Sequence, residues 1–234
     1  MQVSIFTKTT LSIFTGLLLS EMALAHVSIT NKLYANSYSQ IELAVPHGCE
    51  GFDTVKVEVT IPDGFTGVRP LNSVFGPATV ELDQEDAIFK IVWTTNKTEP
   101  YAIDSHAYSL AFRAKTPDAV FSTLYFPTVQ TCEDQDGNIF TSEWIGTQGH
   151  DHSDASGVLP SPSALLYPKV TPGWSQFLIN EHLHDLSIFS DAEIVWLDSA
   201  AYSANPHTVQ LIQEDSEAST LSEIHPGSMI WVKY

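Results

Sequence analysis

Apolar and polar side chains alternate along residues 40–45 and again over Thr54-Val55-Lys56-Val57-Glu58-Val59-Thr60-Ile61. A period of two puts one set of side chains on each face of a β-strand. Pro62-Asp63-Gly64 ends the second run, as a turn should. Residues 78–82 and 88–93 are further β-prone runs, with the acidic stretch 83–86 between them as a hairpin loop. Residues 107–114 and 122–126 continue the series, and Asp136-Gly137 marks a last hairpin between 129–131 and 139–141. No helical period of useful length interrupts them. About eight strands in about 120 residues predict a mainly β fold, an antiparallel sandwich of immunoglobulin or fibronectin type over residues 26–146.

The pattern then changes. Residues 149–157 are small, polar and acidic, and Pro160, Pro162, Pro168 and Pro172 follow, so 147–172 reads as a linker. Residues 173–234 read as a small α+β unit. Its signals are a strand at 192–197, a helix opened by Asn205-Pro206 with Leu211 and Ile212 on one face, and a strand at 227–234. Trp174, Trp196, Trp231 and Tyr234 are the expected core of that unit, with a sugar-binding platform as the competing use of three tryptophans.

Residues 1–25 carry Lys8, an apolar run from 11 to 19, and the small-residue site Ala23-x-Ala25. The run is shorter than the ~20 residues of a membrane span, which predicts a signal peptide cleaved after Ala25 and a periplasmic or secreted protein. No later stretch is long and apolar enough to span a bilayer. Cleavage would leave 9 basic and 27 acidic residues, a net charge still of -18. That charge repels nucleic acid and anionic membranes and attracts cations.

Cleavage after Ala25 would also put a free α-amine on His26. The amine and the ring Nδ1 can then chelate one metal ion, and Cu(II) is the divalent first-row ion that such nitrogen donors suit best. Cys49 and Cys132 are the two cysteines of the chain. In an oxidising compartment they read as one disulfide, because a thiolate metal site would want more cysteines or a C-x-x-C spacing. His150 and His152, flanked by acids, are weak metal candidates on the linker. His182 and His184, two apart, would share one strand face and read as surface histidines, with a second metal pair as the alternative.

Four separated motifs resemble the YcnI family. They are His26-Val27-Ser28-Ile29, Val45-Pro46-His47-Gly48-Cys49-Glu50-Gly51, the run from Val55 to Gly64, and Trp93-Thr94 with Asp136-Gly137 ahead of Trp144. The resemblance spans about residues 26–146 and implies a periplasmic Cu(II)-binding protein of copper trafficking, one Cu(II) per chain. It implies a brace made by the His26 amine and Nδ1, Glu50 as the carboxylate ligand, and Trp144 beside the metal. His47 is an additional ligand candidate. A Cys49–Cys132 bridge would tie the Glu50 turn to the hairpin carrying Trp144.

Three functions compete. The first is a copper chaperone or store that exchanges Cu(II) with periplasmic or membrane copper-trafficking proteins. A methionine-rich Cu(I) site is excluded, because Met229 is the one methionine after the signal segment. The second is a copper-dependent monooxygenase, for which His47 and His106 are the in-domain candidates for a second histidine. The third is a metal-independent adhesion module.

Overall fold

The computed structural model describes residues 26–147 and 158–234. Residues 1–25, expected to be a signal peptide, and the His150/His152 pair lie outside the described residues. The first part of the chain forms β1 (Ser28–Ile29), β2 (Leu33–Tyr34), β3 (Tyr38–Val45), β4 (Asp53–Thr60), β5 (Thr66–Pro70), β6 (Ala78–Leu82) and β7 (Ile88–Thr94). It continues through β8 (Tyr108–Lys115), β9 (Thr123–Tyr125), β10 (Thr128–Glu133), β11 (Ile139–Gly146), β12 (Leu159–Pro160) and β13 (Ser163–Tyr167). The rest forms β14 (Trp174–Leu178), β15 (Ile194–Leu197), β16 (Ala200–Tyr202), α1 (Pro206–Glu214), β17 (Ser219–Thr220) and β18 (Met229–Lys233).

A four-stranded sheet, β1-β3-β8-β5, and a six-stranded sheet, β12-β11-β10-β4-β7-β6, enclose one core. The alternation in the sequence supplies it. Ile41, Leu43 and Val45 of β3 face Val57 and Val59 of β4, with Leu110, Phe112, Ile91 and Trp93 from the neighbouring strands, and all of these are fully buried. Burial of each such side chain contributes about 1.5–3 kcal/mol. The intervening residues stay nearer water, and Lys56 pairs there with Glu58 at 2.7 Å. This is the immunoglobulin-like β-sandwich that the alternation predicts.

Two features depart from the sequence reading. Residues 159–167 fall within the expected linker yet form β12 and β13. β12 pairs in parallel with β11, and β13 pairs with β2 and β9. Their prolines sit at strand ends, where a missing N–H costs no ladder bond. The second departure is the C-terminal core. Trp174 and Trp231 are 51% and 48% exposed, and Trp196 and Tyr234 are half-buried. In the sheet β14-β18-β15-β16-β17, the inward positions of β18 are Ile230 and Val232, so Trp231 between them faces out. On α1 it is Ile212 that is buried, while Leu211 faces solvent.

Phe121, donated by the first part of the chain, helps fill the space the tryptophans leave. Its ring lies 5.4 Å from Phe177 and 5.0 Å from Phe189, and it belongs to the core cluster of residues 177–234. Phe121 holds a φ of 60°, which is costly for a bulky side chain. Next to it, the Thr123 N–H donates to both carboxylate oxygens of Glu181 at 3.0 Å.

Candidate metal centre

His26 leads directly into β1. Val27 is buried in the sandwich core, and Ser28 and Ile29 pair with Ala44 and Leu43 of β3. The backbone beside His26 is therefore fixed by packing. Its ring lies 5.0 Å from the indole of Trp144, tilted by 53°. Trp144 sits on β11 opposite Thr128 and is itself buried. Its Nε1–H donates to Gln130 Oε1 at 3.3 Å. Gln130 is 1% exposed and spends its amide donors on the His47 carbonyl at 2.7 Å and on Thr54 Oγ1 at 2.8 Å. One buried amide thus joins the indole beside His26 to the chain leading to Glu50. Sequence reasoning passed over Gln130. The available signal was an amide at an inward position of β10, between Thr128 and Cys132.

Glu50 lies in a tight turn. The Phe52 N–H donates to the Cys49 carbonyl at 2.9 Å, and the two central residues, Glu50 and Gly51, have φ of 52° and 87°. Positive φ at both central positions is the pattern of a type I′ turn, which glycine, asparagine and aspartate favour. A glutamate there carries a backbone cost of order 1 kcal/mol and projects its carboxylate into solvent. Gly48 is required by close approach, because a Cβ at that position would lie 1.6 Å from the Phe52 carbonyl oxygen. Cys49 and Cys132 form a disulfide, with Cα atoms 5.7 Å apart. It fixes the turn to β10.

His47 turns its Nδ1 to the Gly48 carbonyl, with Asp104 Oδ2 3.7 Å away. His106 stacks on Tyr101 at 3.9 Å and contacts Ser105 Oγ at 2.9 Å. The structure therefore joins His26 to Trp144, and Trp144 through Gln130 to the His47 backbone, while Glu50 stands on the exposed turn beyond. Among the described residues, the group of three metal-capable side chains with ligand atoms within 4.8 Å of one another lies elsewhere, at His182, Glu223 and His225.

Behind the turn, Asp53 is fully buried at the start of β4. Its carboxylate pairs with Lys97 and accepts from the Tyr108 hydroxyl at 2.6 Å and the Tyr101 N–H at 2.9 Å. Burial alone would raise the Asp53 pKa, but the Lys97, Tyr101 and Tyr108 bonds outweigh it and hold the pKa below the usual value. Burial and the Asp53 carboxylate push the Tyr108 hydroxyl far up, so it stays a donor. A lowered native pKa adds stability that is present above the unfolded value near ~3.9 and is lost as pH falls through the native value. Asp53→Asn should cost about 2 kcal/mol at pH 7. It should also flatten the acid limb of a pH series of urea unfolding curves, and a D53N limb as steep as the wild-type one would contradict this assignment.

The fold is an immunoglobulin-like β-sandwich, with a histidine at its strand entry set against a buried tryptophan. Residues 26–167 match the family described as a domain of unknown function, DUF1775, and the chain belongs to that family, which is the YcnI type. No curated protein matches the sequence. Among solved structures, an uncharacterised protein of Nocardia farcinica with an immunoglobulin-like fold is similar over 61% of this chain and 99% of its own. The two are 21% identical with a TM-score of 0.50, a likeness of fold. A cohesin module of a Clostridium perfringens family 33 glycoside hydrolase is 12% identical over 62% of this chain and 96% of its own, with a TM-score of 0.36. The major pilin subunit of Bacillus cereus is 9% identical over 86% and 52%, with a TM-score of 0.33. These two are too distant to bear on function.

Proposed function

We propose that the protein is a periplasmic Cu(II)-binding chaperone or store, cleaved after Ala25 and holding one Cu(II) per chain at His26. The observation that carries this reading is the 5.0 Å approach of the His26 ring to the buried Trp144 indole. An indole beside a cation site excludes water and presents a favourable π-face. The family match begins at His26, the residue that cleavage would give a chelating amine. Glu50, held on its turn by the disulfide and by Gly48, is the carboxylate of the set. Its exchange partners are periplasmic or membrane copper-trafficking proteins.

A monooxygenase reading needs a second histidine facing the metal. His47 and His106 are each engaged with neighbouring groups, which favours binding over oxygen chemistry. The test is fluorescence. Cu(II) at His26 should quench Trp144, so in protein carrying His182→Ala and His225→Ala the first equivalent of Cu(II) should dim the emission markedly, and much less when Trp144→Phe is added. Equal quenching of the two proteins would place the copper away from His26.

A further inference from the structure

We propose that His182, His184, His225 and Glu223 form a second binding site for a divalent late first-row metal ion, on the C-terminal unit and independent of His26. The site is built by a single antiparallel bridge. The Leu183 N–H donates to the Ile224 carbonyl at 2.9 Å, and the Ile224 N–H returns the bond to the Leu183 carbonyl at 3.0 Å. Leu183 is 7% exposed and Ile224 0%, so both point into the core. Strand alternation then sends the four flanking side chains out together, with His182 opposite His225 and His184 opposite Glu223. Because Leu183 and Ile224 are a hydrogen-bonded pair, their neighbours occupy the closer-spaced positions of the ladder.

The side chains converge as that register requires. His182 Nε2 lies 3.2 Å from Glu223 Oε2, His184 Nδ1 lies 3.6 Å from the same oxygen, and His225 Nε2 lies 3.5 Å from Glu223 Oε1. The His182 ring centroid is 3.7 Å from that of His184 and 4.3 Å from that of His225. Ligand atoms of His182, Glu223 and His225 already lie within 4.8 Å of one another. Metal–nitrogen bonds of about 2.0–2.1 Å set tetrahedral ligand atoms about 3.3 Å apart, so rotamer adjustments suffice to close the site. A surface ion pair uses one imidazole per carboxylate. Three imidazoles around one carboxylate exceed that need and supply an N3O donor set.

The frame is rigid on both sides. Asp185 caps the short 3-10 helix at Leu186–Phe189 by accepting from the Ser187 N–H at 2.9 Å. After Pro226, the Gly227 N–H donates to the Ile179 carbonyl at 2.7 Å. The backbone on both sides of the bridge is therefore tied by hydrogen bonds of its own. Imidazole and carboxylate without thiolate suit Cu(II) and Zn(II) and disfavour Ca(II) and Mg(II), and Cu(II) is held most strongly of the series. The net charge of -18 concentrates such cations near the surface.

The experiment uses the full chain from His26 to Tyr234 with one added residue ahead of His26, which removes the chelating amine. Titrated with Cu(II) alone and with Zn(II) alone in a calorimeter, this protein should bind one equivalent of each. His182→Ala with His225→Ala should weaken that uptake at least 30-fold, and Glu223→Gln should weaken it about tenfold. His150→Ala with His152→Ala should leave it unchanged. All four residues are exposed, so the metal-free melting temperature should stay within a few degrees and report intact folding. The proposal is overturned if the extended protein binds neither ion, or if uptake survives the His182/His225 double substitution. The same double substitution with a free His26 amine should still bind one Cu(II), which keeps the fate of this site separate from that of His26.

Discussion

Adding one residue ahead of His26 should abolish tight Cu(II) binding at that site, with a loss of at least 100-fold, about 3 kcal/mol or more. The extension turns the α-amine into an amide, whose nitrogen no longer offers a lone pair to the metal at neutral pH. Chelation is lost with it, because the amine and the imidazole share one residue and close one ring. His26→Ala should be equally severe by removing the other half of that ring. Glu50→Ala should weaken binding by roughly tenfold and leave a nitrogen-ligated signal. Trp144→Phe should keep the ion and admit water to it. Acid should release the metal in all forms that bind, since protons compete for both nitrogens. Electron paramagnetic resonance during Cu(II) titration separates these outcomes. If the extended chain keeps the wild-type spectrum and affinity in the His182/His225 double-substituted background, the terminal site is wrong. The mass of the processed protein, expected to start at His26, is the companion measurement.

Loss of the Cys49–Cys132 bridge should lower stability by about 4.5 kcal/mol, the chain-entropy value for a loop of this length. The sequence separation is 83 residues, and the cross-link joins the turn before β4 to the middle of the six-stranded sheet. Most of the effect acts on the unfolded chain, which the bridge keeps from expanding. A native component adds to it. The Cys49 N–H lies 2.7 Å from Cys132 Sγ, and Gln130 holds the adjacent His47 carbonyl, so the turn loses an anchor when the sulfurs part. Cys49→Ala with Cys132→Ala should drop the melting temperature by on the order of 10 °C. It should also weaken Cu(II) binding, because Glu50 rides on the released turn. Unchanged melting of the reduced protein would show that the bridge contributes nothing to stability.

The sandwich was legible because its strands alternate cleanly. Thr54 to Ile61 displays its two faces in the sequence, and β4 buries the expected one. β5 was not legible, since Thr-Gly-Val-Arg-Pro has neither alternation nor β-rich composition and is held by pairing with β8. β12 and β13 were hidden by prolines that sit at strand ends. The C-terminal tryptophans were misplaced for a different reason. Composition says that bulky aromatics fill small cores, but the parity of β18 decides which residue turns inward, and Phe121 arrives from sixty residues upstream to help fill the gap. At the site, His26, Trp144, Cys49 and Cys132 could be named from motifs. Gln130 could not, because its role exists only once β10 and the His47 turn are adjacent. His182 and His184 were visible as a pair, whereas Glu223 and His225 joined them only through the register of one bridge.

Phe121 separates kinship from cooperativity. The stretch shared with the family ends at Tyr167, yet the ring of a residue well inside it is part of the interior of the following unit. A chain severed after Tyr167 would carry that ring, and its left-handed backbone, into water. The recognisable module thus lends one ring of its own to the interior of the unit that follows, and the C-terminal unit is joined to it through that shared core.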